Sequence, residues 1–418
     1  MAKKRDFLDE LIDMQQDWQA LSSAGNELVD QFTDPDERPV YDPADYKERP
    51  RANSTYCVSA VSKNLEACHS CMDVCPVDAI SIHGATVRID DNCRSCGLCS
   101  AACPTEVFQV RKYAPLVLYD KIAQAAAAYE QCYITCTRAL GRLPKPNEIL
   151  LPCVGAVARE VWFDLLCDYP NLSVYLPLGI CDRCRTSTGE EAYSNAIADA
   201  EEWSGETVGY EVDEDDLLSE QKRAYKRSQF VSGVTQAGTR LVSRGVPALA
   251  GAQAVARRLQ EHSKRITEVQ KTLEHAVGST GTQTRRRMLT RRRRLLMAGL
   301  QKYPDLAEDL LLEFPQLDYE RCTMCGECIK ACTVRALEMD RSGRVLFEPT
   351  YCINCGACAV ICQDDAIRMQ RNNASELVLP DPKAEARARQ RKKVAKLKEQ
   401  GKQTLDKGLD FIEGLADE

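Results

Sequence analysis

The residues with the clearest chemical signature are cysteines, 22 in a chain of 418, gathered in tight groups instead of scattered as disulfide partners would be. Toward the C-terminus stand Cys322, Cys325, Cys328 and Cys332, then Cys352, Cys355, Cys358 and Cys362, two runs of C-x2-C-x2-C-x3-C. Three thiolates that close together can cap three irons of a cubane, while the fourth, further along, points toward a second cluster. The runs therefore exchange ligands: Cys322, Cys325, Cys328 and Cys362 make one expected 4Fe-4S site, and Cys352, Cys355, Cys358 and Cys332 the other. Gly326 and Gly356, just after the second cysteine of each run, let the backbone pass close to inorganic sulfide. Structural zinc is the weaker reading, because zinc knots use pairs of CxxC and not runs of four.

A second cysteine-rich segment lies near the N-terminus. Its later run, Cys93, Cys96, Cys99 and Cys103, has the same spacing, with Gly97 and Pro104 in the matching places. Its earlier run departs from the pattern. Counting back from Cys75 finds Cys71 and Cys68, but the next position is Leu65, and the cysteine upstream is Cys57, within the strand-like Thr55-Tyr56-Cys57-Val58. The expected sites are Cys57, Cys68, Cys71 and Cys103 for one cluster and Cys93, Cys96, Cys99 and Cys75 for the other. Two alternatives stay open for the first: a 3Fe-4S cluster without that ligand, or ligation from elsewhere. His69 beside Cys68 reads as a hydrogen-bond donor to sulfur and not as a ligand.

Both segments resemble the bacterial-type double-cubane ferredoxin family, which makes the chain polyferredoxin-like. The later segment has Thr333 and Gln363 where that family has proline after the fourth cysteine, which bears on the surroundings of the clusters. Six further cysteines lie between the segments: Cys132, Cys136, Cys153, Cys167, Cys181 and Cys184. Cys136, Cys153, Cys181 and Cys184 fall at or beyond the carboxyl ends of predicted parallel strands, the edge where α/β folds assemble sites. Cys132 and Cys167 read as buried packing residues. Leu151-Pro152-Cys153-Val154-Gly155 and Gly179-Ile180-Cys181-Asp182-Arg183-Cys184 look like the small iron-sulfur (delta) subunit of methyl-viologen-reducing hydrogenase and heterodisulfide reductase systems, with a shorter final gap. That resemblance implies a fifth centre, [2Fe-2S] or [4Fe-4S]. A dithiol redox pair at Cys181 and Cys184 is the competing reading.

The elements that must position these cysteines give an α+β multidomain chain. It has two ferredoxin-like double-cluster modules, a small parallel α/β middle domain and long helical segments. The predicted divisions are an N-terminal helix with a Pro-rich strap (1–50), the first module (51–113), the α/β domain (114–217), a basic helical segment (218–314), the second module (315–373) and a charged C-terminal helix (374–418). Short strands at Ala79 to Ile82, Val107 to Val110, Ala336 to Met339 and Ala366 to Met369 brace the cluster loops. In the middle, strands at Cys132 to Thr135, Ile149 to Val154, Leu172 to Leu176 and Thr207 to Val212 alternate with helices at Leu118 to Glu130, Ala156 to Asp168 and Glu190 to Trp203, the pattern of a parallel sheet.

Net charge is −7, but Glu190 to Glu220 holds twelve acidic and no basic residues, while 222–300 holds eighteen basic against three acidic. The run Arg285 to Leu300 alternates arginines with apolar residues. It suits a solvated helix that pairs with the acidic stretch or docks an acidic redox partner; nucleic acid or anionic lipid is the weaker reading, without aromatic or glycine patterning. No G-x-G-x-x-G, P-loop or acid/base constellation is present. The expectation is a non-catalytic carrier or electron-transfer subunit that passes single electrons to an oxidoreductase of the hydrogenase, formate dehydrogenase or flavin-dependent reductase type. The alternatives are a reductase of disulfides or sulfur compounds at the middle cysteines and a redox-sensing regulator bound to nucleic acid. Without an apolar run of bilayer length or a signal sequence, the expected location is cytoplasmic.

Overall fold

The computed structural model describes residues 40–218, 258–269, 271 and 287–379. The expected helices at 5–33 and in the C-terminal tail lie outside these residues, as do Pro35, Pro39 and most of 218–286. What remains of the N-terminal strap runs over its neighbours: the Tyr41 hydroxyl donates to the Thr137 carbonyl (2.6 Å), and Arg49 binds Asp91 and the carbonyls of Ile89 and Asp90.

The two cysteine-rich segments share one topology. In the first, β1 (Arg51–Ala52) pairs antiparallel with β4 (Phe108–Gln109), and the hairpin of β2 (Ile80–His83) and β3 (Thr86–Ile89) lies between the two cysteine runs. In the second, β9 (Leu311–Leu317) pairs with β12 (Ile367–Asn373), and β10 (Leu337–Met339) with β11 (Val345–Phe347). Each cysteine loop thus leads directly into a strand. Thr55 to Val58 is not a strand, as its β-branched residues suggested. A 3-10 turn at Ser54–Tyr56 ends at Cys57, and a short helix, Val58–Ser62, begins there.

Between the modules, α1 (Pro115–Ala128), α2 (Arg159–Asp168) and α3 (Gly189–Ser204) pack around a four-stranded parallel sheet. Its strands are β5 (Cys132–Cys136), β6 (Glu148–Leu151), β7 (Leu172–Tyr175) and β8 (Gly209–Glu211), in the order β6-β5-β7-β8. All three pairings are parallel, as the alternating pattern implies. The second strand stops at Leu151, because the chain turns through a 3-10 segment at Val154–Ala156, and the next helix starts three residues later than its sequence suggests. The strands β5, β6 and β7 are buried along their whole length, so they read as continuous apolar runs and not as alternating ones.

Helical residues 258–269, called α4 here, cover one flank of the core, where buried His262 meets buried Asp164 (2.7 Å) and stacks on Tyr119. Helix α5 (Arg291–Lys302) corrects the expectation of a solvated arginine helix. Leu295, Leu296, Met297 and Leu300 join the main core, and Gly299 lies so close to Phe163 that a Cβ there would come within 2.8 Å of Cε1. Its acidic partners are not the Glu190 to Glu220 stretch. Arg292 makes two bonds to Glu160, at 2.7 and 3.0 Å, and donates to the carbonyls of Ala101 and Cys103. On the approach to α5, Arg287 pairs with Glu338 in the second module. The same core extends through Leu312, Phe314, Val334 and Tyr351, so α5 packs where the modules and the sheet meet. Among the described residues no helix is long and apolar enough to cross a membrane.

Candidate iron-sulfur sites

All 22 cysteines are free thiols, and none is paired as a disulfide. Their local geometry repeats. The residue three positions after each fourth cysteine takes a left-handed conformation: Asp78, Glu106, Arg335 and Asp365, with φ of 49, 53, 60 and 47°. That turn brings the next backbone N–H onto the cysteine sulfur. Ala79 donates to Cys75 Sγ (3.3 Å), Val107 to Cys103 (3.4 Å), Ala336 to Cys332 (3.2 Å) and Ala366 to Cys362 (3.3 Å). Such donors stabilise charge on sulfur and are one of the levers on cluster potential. Three runs also share left-handed residues on either side of the second cysteine: Ser95 and Gly97, Met324 and Gly326, Asn354 and Gly356.

The run containing Cys68 lacks that pair of left-handed residues. Ser70–Asp73 is helical there, with His69 at its start bonded to Asp73 at 2.5 Å, so the histidine faces a carboxylate and not sulfur. Cys57 nevertheless enters as Cys352 does, each as the residue that closes a 3-10 turn ending in tyrosine, Tyr56 and Tyr351. The inserted helix Val58–Ser62 then carries the chain away and Lys63, at φ 57°, turns it back.

Electrostatic coupling shows which thiols are brought together. Burial pushes Cys71 up, and the charges of Cys103, Cys68 and Cys57 add to it. Cys99, raised by burial, also feels Cys96, Cys93, Cys71 and Cys75. Cys328 is pushed up to about 11 by burial and then by Cys322, Cys325 and Cys362. Cys358, raised by burial, feels Cys355, Cys352 and Cys332. Each of these four thiols thus feels members of its own run and at least one of the companion run. A thiol held so high is protonated at neutral pH and becomes a thiolate when metal replaces the proton.

The middle domain holds a further group of thiols. The register that sets Cys136 opposite Leu151 places Cys153 two residues past the same sheet edge, and the turn after β7 carries Cys181 and Cys184 to it. Cys153 is raised by burial and feels both Cys136 and Cys184; Cys181, pushed up to about 11 by burial, Glu190 and Cys136, also feels Cys184. Backbone N–H groups again face sulfur, Ala139 to Cys136 and Thr186 to Cys184, both at 3.4 Å. Gly189 opens α3 where any Cβ would stand 2.7 Å from Cys153 Sγ, so glycine makes room for the thiol. Cys132 and Cys167 stand apart, the first within the buried strand β5 and the second on α2.

Whether these groups suit iron-sulfur clusters is testable on their shape. Among the described residues no three His, Cys, Asp or Glu side chains come close enough to hold a single metal ion. Cys57, Cys68, Cys71 and Cys103 instead ring a hollow lined by Val58, Ile82, Val87 and Phe108. A spread ring of thiols with inward N–H donors and apolar walls fits a bulky, negatively charged cluster and not lone zinc. Buried Arg293 points the same way: its Nη1 has no hydrogen-bond partner, and its Nη2 binds Asn354 within the Cys352–Cys355 loop. Sequence reasoning missed this arginine, since a run of four arginines looks like a surface.

Comparison with known families gives two matches, both described as a 4Fe-4S dicluster domain: residues 66–107 and residues 314–373. The first match begins after Cys57. Comparisons with curated proteins and with solved structures give no match.

Proposed function

We propose that this chain, a ferredoxin-like iron-sulfur protein with two 4Fe-4S dicluster domains, relays single electrons through thiol-held centres arranged in series. The observation that carries the reading is the order in which the thiol groups meet. The Cys322 and Cys352 groups meet in one apolar cluster, where Cys322, Cys332, Cys358 and Cys362 pack against Cys328, Leu337, Val345 and Ile367. The Cys352 group reaches the first module where Cys355, pushed up to about 12 mainly by burial, also feels Cys68. Within that module Cys99 feels Cys71, and beyond it Cys153 feels Cys96.

In this reading the sixteen module cysteines hold four [4Fe-4S] clusters: Cys57, Cys68, Cys71 and Cys103; Cys93, Cys96, Cys99 and Cys75; Cys322, Cys325, Cys328 and Cys362; Cys352, Cys355, Cys358 and Cys332. Cys136, Cys153, Cys181 and Cys184 hold a fifth centre, [2Fe-2S] or [4Fe-4S]. Bound there, such clusters supply one-electron chemistry over a wide range of potentials. The chain contributes the thiolates, the N–H donors to sulfur and apolar walls that exclude water. It also presses the first module onto the middle domain: Gly97 lies against Ala156, where a Cβ would come within 2.8 Å of the alanine methyl.

Both ends of the series come to the surface. Cys325 is exposed beside exposed Met324, and at the other end Leu178 stands out from the turn that bears Cys181 and Cys184. These ends suit a donor and an oxidoreductase acceptor of the hydrogenase, formate dehydrogenase or flavin-dependent reductase type, with the chain as carrier or subunit. Convergence of four thiols in the middle domain supports a cluster there over a Cys181/Cys184 dithiol reductase.

Iron and sulfide analysis of anaerobically purified protein, with low-temperature EPR, tests the reading. Four cubanes give about 16 iron per chain and the middle site about two to four more. Iron near eight with zinc present would overturn it. Cys184→Ser should remove one spectroscopic centre; a dithiol reductase would keep every centre and lose turnover instead.

A further inference from the structure

We propose that Arg293 is a buried counter-charge for the centre held by Cys332, Cys352, Cys355 and Cys358, and that it raises that centre's reduction potential above the value the thiolates alone would set. The inference rests on reading those cysteines as cluster ligands. Arg293 lies in the first turn of α5, behind the N-cap Thr290, and is 4% exposed. Its Nη2 donates to Asn354 Oδ1 at 2.8 Å, and Asn354 belongs to the Cys352–Cys355 loop itself. Its Nη1 is buried with no hydrogen-bond partner.

The carboxylates near it are already engaged. Glu160 accepts two bonds from Arg292, at 2.7 and 3.0 Å, and lies 3.5 Å from Arg159. Asp199 accepts from Arg159 at 2.8 Å. Glu106, a third carboxylate beside the arginine run, accepts from the Arg292 backbone N–H and lies 3.7 Å from Arg291, so Arg293 is left without a carboxylate of its own. Burial drives its pKa down to about 10, which still leaves it protonated at neutral pH. An unbalanced buried cation is strongly disfavoured unless an anion lies close by. The thiolates of the Cys352 loop are that anion: Arg293 binds Asn354, which stands between Cys352 and Cys355, and borders the same hollow as Ile353 and Cys355.

Reduction adds one electron to a cluster and no compensating proton, so the reduced state is the more negative. A fixed cation in a low-dielectric site stabilises that state more than the oxidised one. Arg293 thereby favours electrons resting in the second module at the junction with the first. It acts on potential without ligating metal.

The test is an EPR-monitored redox titration of the anaerobic holoprotein, with the centre assigned by loss of its signal in Cys355→Ser. In Arg293→Met, the reduced-to-oxidised ratio of this one centre at a fixed poise should fall roughly tenfold, equivalent to about 59 mV for a one-electron couple. The other midpoints should stay in place, and Arg293→Lys, which keeps the charge, should recover most of the shift. A structural strut would instead alter Arg293→Lys and Arg293→Met alike. An unmoved midpoint in Arg293→Met with full iron content overturns the inference and leaves the relay intact, whereas low iron in the unsubstituted protein overturns the relay reading itself. Should Arg293→Met fail to assemble, Asn354→Asp sets a carboxylate on Nη2 and must lower the same midpoint; no shift there overturns the inference equally.

Discussion

The two dicluster modules share a backbone and differ in what surrounds it. Each fourth cysteine, in both, is followed by a left-handed residue and an N–H donated to its sulfur. In the first module Cys57, Cys71, Cys99 and Cys103 are buried, whereas in the second only Cys328 is buried and Cys325 is exposed. The first is enclosed by the strap, by α5 and by the middle domain through Gly97. The second closes itself with a long outer ladder, seven residues in each of β9 and β12 against two in β1 and β4. Cluster loops are thus set locally, while solvent exclusion is set by neighbours. That difference also predicts which centre fails first. Air oxidation should bleach the Cys322 group before any in the first module, read as loss of EPR signals in sequence.

Substitutions at matched positions sharpen or break the contrast. The largest effect is expected at the entry cysteines. If Cys57 plays the part of Cys352, serine at either position should cost one centre, about four irons where the cluster is lost entirely. Full iron content in Cys57→Ser would show that the remade loop does without it. Next come the arginines that join modules. Arg292→Met leaves buried Glu160 with only the 3.5 Å contact to Arg159, an expected loss of about 3 kcal/mol in urea unfolding. Arg287→Met removes a pair in which Glu338 is 38% exposed, so about 1 kcal/mol or less is expected.

Glycines after the second cysteine form a third pair. Gly97→Ala meets a left-handed φ of 85° and the methyl of Ala156 at 2.8 Å, with an expected cost of about 2–3 kcal/mol. Gly326→Ala meets only Met339 Cε at 3.7 Å, so only the backbone term of about 1 kcal/mol applies. Equal costs in thermal unfolding would contradict the enclosure of the first module. Smallest is Thr333, which stands where the first module has Pro76 and Pro104 and whose buried hydroxyl has no partner. Thr333→Val should be neutral or stabilising by up to about 1 kcal/mol.

Much of this was legible without coordinates, and the reason is range. Ligand runs, the glycines within them and the bracing strands are fixed by contacts a few residues apart, so spacing reveals them. Parallel β5, β6 and β7 were legible because buried strands form short apolar runs between helical patterns. Where distant partners decide, the reading failed. Arg291 to Arg294 looked like a solvated face because nothing nearby in the chain marks Glu160 or Asn354 as partners. Nothing local marks His262 as a partner of Asp164 either, since the two lie 98 residues apart.

By itself, then, the sequence determined that the chain carries two double-cluster loops and a parallel α/β unit, since thiolate spacing and strand periodicity are local properties of the backbone. Only the tertiary structure decided the order in which five thiol groups meet, the entry of Cys57 on the same kind of turn as Cys352, and the burial of Arg293 without a carboxylate of its own. The first and the last of these depend on the packing of segments far apart in the chain. Burial there removes water, and with it the screening that would make position immaterial to charge.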